Sequence, residues 1–120
     1  MKTFFASLIV FFLLIATIST NYFYINRTTS NLSERIATLP DCENAEDDTK
    51  ALLVYWSQEE RFLGLSVPFE ELQQTKDVFL SLHHAAREKN GYEFNKYRLL
   101  AEDAIEDLQR LEKFKLENLL

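Results

Sequence analysis

A long apolar stretch near the amino terminus, residues 4–25, constrains the fold of this chain more than any other feature. Its first 15 residues, FFASLIVFFLLIATI, carry no charge, and apolar character resumes after a short polar interruption with Tyr22, Phe23, Tyr24 and Ile25. As a helix, the first 15 residues would extend only about 22 Å, whereas the whole stretch would extend about 33 Å. Because a bilayer hydrocarbon core is roughly 30 Å thick, we predict a membrane-spanning helix that needs its tyrosine-containing end.

A cleaved secretory signal is the alternative interpretation of the same stretch. Lys2 followed by an apolar core and small residues is typical of such signals. The best cleavage position, with Thr17 and Ser19 as the small residues, is a poor one. In a retained helix the rings of Tyr22 and Tyr24 can lie among the lipid headgroups. We therefore predict that the segment is retained as a signal-anchor.

The basic residues around the stretch predict its orientation. Lys2 and the terminal amine precede it, and Arg27 and Arg35 are the only basic residues within about 20 positions after it. We expect a single-pass protein of the cell membrane with its amino terminus inside. The carboxy-terminal domain would then be extracytoplasmic.

The residues after the stretch are acidic and contain few helix-breaking side chains. Of the 13 basic residues only Lys2 precedes residue 26, and all 19 acidic residues follow it, so residues 26–120 have a formal charge of 12 minus 19, or −7. This charge argues against nucleic acid or anionic lipid headgroups as partners, because both require a basic surface. The chain contains only two glycines and two prolines, which favours helix over sheet.

We predict an all-α fold in which one N-terminal transmembrane helix is followed by an antiparallel three- to four-helix bundle. Residues 1–25 form the membrane anchor, residues 26–40 a juxtamembrane stalk or short helix, and residues 41–120 an acidic helical bundle domain. Gly64 suits a helix end and Pro68 a first helical turn. Asn90 is a candidate cap with Glu93 three residues later. The long helices of the domain are expected at residues 44–62, 68–89 and 91–112.

A seam of residues at spacings of three and four follows the membrane segment and indicates a helix that continues out of the bilayer. Most residues from 26 to 31 are poor helix formers, which allows a break there and a restart with Asn31 as cap. The seam is either a self-associating stalk or a short helix that packs on its own domain, and we favour the second. The seam residues are Tyr22, Ile25, Thr29, Leu32, Ile36 and Leu39.

Trp56 and the adjacent pair His83 and His84 are the most distinctive side chains for a binding site. We expect Trp56 to anchor the core rather than to stack on a ligand, together with other residues on one side of its helix. The two histidines point about 100° apart on a helix and cannot readily share a metal ion. We expect one at the core edge and one in solvent; the alternative is a zinc site or pH sensor completed by a distant carboxylate. The core-facing set is Leu52, Tyr55, Trp56, Phe62 and Leu63.

Two acidic clusters and one cysteine complete the candidate residues. Residues 41–48 lack the glycine turn of an EF-hand loop, and we expect solvated acids that stabilise the start of the next helix. Residues 102–107 hold two like-charge pairs that nothing in the pattern buries, so we expect a solvated stripe rather than a catalytic carboxylate pair. Cys42, the only cysteine, is a free thiol or the site of a covalent dimer. The sequence predicts no catalytic, cofactor-binding or metal-binding residues and no cofactor.

One amino-terminal span, Trp56 on the first long helix of the domain, a helix that contains Leu82 and His83, and the closing segment at residues 112–120 together form a pattern over nearly the whole chain. This pattern resembles the small bacterial proteins grouped as domain of unknown function 4363. The acidic residues 41–48 depart from it. The resemblance implies an uncharacterised membrane-anchored helical protein and supplies no catalytic residues.

The leading functional hypothesis is a non-enzymatic protein-interaction or accessory module of the cell envelope, which binds another envelope protein or itself. The alternative is an extracytoplasmic sensor or binding domain for a cation or small ligand. An enzyme is not expected, because the sequence contains no Gly-rich phosphate loop and only two histidines, side by side. The expected partners are the membrane and a protein, and not nucleic acid.

Overall fold

The computed structural model describes residues 1–119, which form four long helices and no strand. Helix α1 is Lys2–Ala37, α2 is Glu46–Leu63, α3 is Phe69–Arg87 and α4 is Gly91–Leu119, and a one-turn 3₁₀ helix at Cys42–Asn44 precedes α2. The predicted all-α class is therefore confirmed for this part of the chain. Leu120, the last residue of the predicted carboxy-terminal motif, lies outside the described residues.

Helix α1 runs without interruption through residues 26–31, where the sequence allowed a break at Asn31. Thr28 and Thr29 in this run are buried, and the Thr29 hydroxyl donates to the Ile25 carbonyl at 2.8 Å. Each of these residues disfavours helix formation by only a fraction of a kcal/mol. Packing on both sides of the run outweighs this penalty. One rigid helix therefore joins the amino-terminal apolar segment to the rest of the chain.

The carboxy-terminal half of α1 packs on the chain's own helices, as the sequence favoured. Ile25, Leu32 and Ile36 of the predicted seam are fully buried, and α1 contacts α4 and α2. Helix α3 in turn packs between α2 and α4. We call the packed part, residues 22–119, the helical domain.

Trp56 lies at the centre of the core of the helical domain, as predicted. Its ring meets the ring of Phe79 edge-on, with centroids 5.3 Å apart and an interplanar angle of 88°. Both rings and that of Phe94 are almost completely removed from solvent, and each contributes on the order of 2 kcal/mol of hydrophobic stabilisation. The core thus joins α2, α3 and α4, and Leu32 and Ile36 add α1 to it.

Five of the six predicted ends of α2, α3 and α4 lie within two residues of the observed ends, and one differs. The Asn90 side chain accepts the Glu93 backbone N–H at 3.2 Å, which confirms Asn90 as the cap of α4. Lys89 has a left-handed conformation, with φ of 56°, at the end of α3. Helix α4 does not end at residue 112 as predicted but continues to Leu119, because no helix-breaking residue follows Glu112 and the added turns pack beside α1 and the α2–α3 loop.

Candidate functional site

His83 and His84 lie in different surroundings, as their adjacent positions on α3 predicted. His83 is half-buried, and its Nδ1 lies 2.9 Å from the hydroxyl of buried Thr49. That hydroxyl donates to the Glu46 carbonyl at 2.9 Å, so its hydrogen bond with His83 requires the tautomer in which Nδ1 carries the hydrogen and donates. His83 therefore ties α3 to the start of α2, whereas His84 is exposed.

His84 lies in a groove of about 520 Å³ between α3 and α4. Glu88 and Glu93 contribute acidic side chains to the groove, and Tyr97 contributes an aromatic ring. Within residues 1–119, no group of three or more His, Cys, Asp or Glu side chains is placed to hold a metal ion. The groove is thus a polar surface depression with one imidazole ring.

The acidic residues lie in solvent in both predicted clusters. On α4 the guanidinium of Arg110 lies 3.2 Å from a carboxylate oxygen of Glu106 and 3.5 Å from one of Asp107. These side chains are more than half exposed, and exposed ion pairs of this kind contribute about 0–1 kcal/mol. At the start of α2, the carboxylates lie in the first turn, where the helix dipole favours them. The acids of this cluster, all exposed, are Asp41, Glu43, Glu46, Asp47 and Asp48.

Cys42 is half-buried beside α3, and its Sγ lies 3.7 Å from the Ala85 carbonyl oxygen, which accepts a weak hydrogen bond. Burial raises the pKa of the Cys42 thiol above its ordinary value, the Glu43 carboxylate raises it further, and Lys89 lowers it in part. The thiolate is the reactive form of cysteine. Both predicted states of Cys42, the free thiol and the covalent dimer, stay predictions.

The end of the helical domain where α1 emerges contains contacts that the sequence did not indicate. The Tyr24 hydroxyl donates to the Glu59 carboxylate of α2, and the Tyr24 ring lies edge-on to Phe62, with centroids 6.2 Å apart. On the α4 side, the Lys115 amine donates to the Ser66 carbonyl in the α2–α3 loop and lies 3.5 Å from a carboxylate oxygen of Glu112. Polar contacts thus fix α1 and the last turns of α4 to this end.

Four large apolar side chains at the same end remain exposed, and we call them the basal rim. Phe62 was predicted to face the core with Leu63, but only Leu63 is buried, because adjacent helical residues point about 100° apart. The apolar loop sequence between α2 and α3 was the available signal for the rim. The rim consists of Phe62, Leu65, Phe69 and Phe114, which are 54%, 82%, 74% and 62% exposed.

A second groove, of about 490 Å³, separates the rim from the apolar half of α1. Leu13, Ala16 and Thr17 line its α1 side, and Phe62 and Leu65 line the opposite side. Every residue from 1 to 14 is exposed. Helix α1 is long and apolar enough to cross a membrane, and none of the residues in its qualifying 18-residue window is buried.

No protein-family model, curated protein or solved structure matches this chain. The resemblance to domain of unknown function 4363 therefore stays a prediction from the sequence. Two features remain for a functional proposal: the exposed apolar helix continuous with the core, and the polar groove around His84.

Proposed function

We propose that this chain is a membrane-anchored, non-enzymatic interaction module of the cell envelope. Its apolar amino-terminal segment crosses the cell membrane once with the amino terminus inside, and its four helices form an antiparallel bundle on the extracytoplasmic side. The bundle binds another envelope protein or a second copy of the chain. The resemblance to domain of unknown function 4363 is part of this proposal.

The continuity of α1 is the observation that carries the proposal. The first half of the helix is mostly apolar and contains no buried residue, whereas Ile25, Leu32 and Ile36 in the second half are fully buried in the helical domain. In water, the first half of the helix would expose more contiguous apolar surface than soluble monomers usually do, and a lipid bilayer would cover that surface. An anchor that shares a helix with the core holds the domain at a fixed position on the membrane, which suits a module that meets partners there.

Crosslinking in intact cells, followed by purification of the full-length chain in detergent, tests partner binding. We expect the chain to return with a second protein, or with a second copy of itself. As a matched control, residues 1–17 are replaced by an unrelated single-span anchor, which should leave the partner bound if the domain recognises it. Recovery of the chain alone and monomeric under crosslinking would contradict the proposal.

The orientation is tested with a membrane-impermeant maleimide on intact cells. Because Cys42 is half-buried and its pKa is raised, an exposed thiol is the better reporter, namely Val54→Cys in a Cys42→Ser background. Val54 is 52% exposed on α2. We expect labelling from outside with the protein in the membrane fraction. Labelling only after lysis would reverse the orientation.

The groove around His84 supports the second candidate function, a sensor for a cation or small ligand. Its test is thermal unfolding of the full chain in detergent with calcium, magnesium or zinc, since a ligand at 100 times its dissociation constant adds about 2.7 kcal/mol of stability. His84→Ala is the matched variant, because His84 is exposed and its removal should spare the fold. A zinc shift that His84→Ala abolishes would support the sensor. No shift with any of these ions would exclude its cation version.

A further inference from the structure

The free apolar part of α1 is shorter than a membrane is thick. Phe4 to Ile18 is the predominantly apolar run, and its 15 residues extend about 22 Å as a helix, against a hydrocarbon core of roughly 30 Å. The sequence supplied the missing length from residues 19–25. In the structure, however, Tyr24 is bonded to Glu59 and Ile25 is fully buried in the helical domain. A bilayer of ordinary thickness must therefore overlap the base of the domain or become thinner around α1.

Part of the basal rim, Phe62 and Leu65, lies at the level where this overlap would occur. Leu65 faces Leu13, Ala16 and Thr17 of α1 across the second groove. On the other side of α1, Leu116 of α4 lies with Ile18 around a smaller cleft. Protein therefore flanks the last third of the predominantly apolar run, and the exposed side chains of this end include the four large apolar ones of the rim.

We infer that the basal rim is immersed in the lipid bilayer, where Phe62, Leu65, Phe69 and Phe114 insert among the acyl chains around α1 and supply the missing hydrophobic length. The occupant of the second groove is then lipid, because the groove is continuous with the lipid-facing surface of α1. The inference rests on the anchoring proposed above. It adds that the domain base is itself membrane-embedded rather than held above the membrane.

The charged side chains near the rim are compatible with this position. Arg61 and Lys113 are exposed neighbours of Phe62 and Phe114, and their long stems can reach the headgroups from a partly immersed base. Glu112 is only 6% exposed and is paired with Lys115, so its carboxylate does not face the acyl chains. Glu70, beside Phe69, and Glu117, three residues after Phe114, are exposed, so the rim is immersed only to the depth at which these carboxylates stay at the headgroup level. Because residues 26–120 carry a charge of −7 from 12 bases and 19 acids, attraction to anionic lipid does not drive the insertion. The rim should insert equally well into zwitterionic lipid.

Nitroxide labels on the full-length chain in phosphatidylcholine nanodiscs test the inference. Single cysteines are introduced as Leu65→Cys and Phe69→Cys in the Cys42→Ser background, and collisions with oxygen, which partitions into lipid, are compared with collisions with a water-soluble nickel chelate. Phe11→Cys in the apolar half of α1 is the lipid control, and Val54→Cys is the water control. These positions are all more than half exposed, so the fold should tolerate the label.

We expect the oxygen-to-nickel ratio at Leu65→Cys and Phe69→Cys to exceed that at Val54→Cys severalfold and to approach that at Phe11→Cys. If the rim labels collide with the nickel chelate as often as the label at Val54→Cys, while the label at Phe11→Cys is in lipid, the rim is not immersed. The proposed anchor would still hold. Rim labels shielded from both reagents would show a protein covering and also overturn it. Frequent nickel collisions at Phe11→Cys would contradict both the membrane anchor and the immersed rim.

Bilayer thickness provides a second measurement. In thick dierucoylphosphatidylcholine the rim labels should lose nickel collisions, and in thin dimyristoylphosphatidylcholine they should regain them, while Phe11→Cys stays in lipid in both. Rim labels that do not respond to thickness would contradict a rim that supplies hydrophobic length.

Discussion

The two halves of α1 have the same secondary structure and opposite environments. The first half exposes phenylalanine, leucine and isoleucine on every side, whereas the second half exposes polar residues and buries one seam. An all-round apolar helix is typical of a membrane segment, and a one-sided seam is typical of a helix on a soluble core. The same uninterrupted helix thus passes from an exposed apolar surface to a packed core.

The difference between the two halves of α1 shows that the apolar sequence pattern alone does not define where the free part of the helix ends. Tyr22, Tyr24 and Ile25 extend the apolar pattern, yet Tyr24 and Ile25 make their contacts with the helical domain. The free part of α1 ends at the level at which other helices begin to pack on it. Mutations in matched positions of the two halves can therefore separate membrane insertion from folding.

The largest expected effect on folding is that of Ile36→Ala in the second half. Ile36 is fully buried, and truncation of such a side chain costs about 2–5 kcal/mol of unfolding free energy because it leaves a cavity. The matched variant is Ile9→Ala, at a position that is 59% exposed, and it should change the stability of the domain very little. Urea unfolding in detergent, followed by the fluorescence of the single Trp56, measures both. Equal losses for the two variants would contradict the division of α1.

A charge in the first half of α1, introduced as Phe11→Arg, should affect membrane insertion and not folding. An arginine near the centre of a membrane helix costs about 3 kcal/mol of insertion free energy, so the fraction of protein that resists carbonate extraction should fall. The unfolding curve of the domain in detergent should not move, since Phe11 makes no contact with the core. Asn26→Arg, an exposed position in the second half, is the control and should leave insertion unchanged. Loss of insertion with Asn26→Arg would extend the membrane segment beyond residue 25.

Regular spacing made much of this division predictable. The seam of the second half, the positions of α2 and α3, the burial of Trp56 and the Asn90 cap all followed from local patterns. The continuity of α1 did not follow, because intrinsic propensity is weak and the burial of Thr28 and Thr29 depends on helices far away in the sequence. The length of α4 was missed for the same reason, since its last turns contact Ser66 and α1.

The candidate surfaces were less predictable than the fold. Helical spacing placed Phe62 and Leu63 on one side, but neighbouring residues at a helix end diverge, and only the packing of α1 and α3 decides which of them is buried. The surroundings of His83 and His84 were easier to predict, because the prediction was that adjacent helical residues point in different directions. The apolar sequence between α2 and α3 indicated only part of the basal rim, because its combination with Phe114 near the end of α4 depends on how the helices pack.

A smaller effect is expected at the boundary between the halves, where Tyr24 binds Glu59. Tyr24→Phe removes the hydroxyl and keeps the ring against Phe62, so the lost hydrogen bond should lower the unfolding free energy by about 1 kcal/mol. Tyr92→Phe, at a position that is 78% exposed, is the matched control and should have no effect. An unchanged unfolding curve for Tyr24→Phe would mean that the contact with Glu59 does not help to fix α1 to α2.

The smallest expected effect lies just beyond the second half of α1, at Cys42. Because burial raises the pKa of its thiol, native Cys42 should react with iodoacetamide more slowly than an exposed thiol at neutral pH, and its rate should rise at a more alkaline pH. The exposed reference is Val54→Cys in the Cys42→Ser background. The sign for stability follows from linkage. Below the ordinary thiol pKa both folded and unfolded forms are protonated, and as pH rises above it the unfolded form ionises first, so the folded state loses stability.

Urea provides the internal control for this last measurement. When the domain is unfolded, the alkylation profile of Cys42 should move to that of the exposed reference thiol, because the burial that raises its pKa is gone. A native profile that already coincides with the reference would show that the turn after α1 is open to water. The burial from solvent that begins at Ile25 would then end at the end of α1. The 3₁₀ turn at Cys42–Asn44 would belong to the solvated surface rather than to the core.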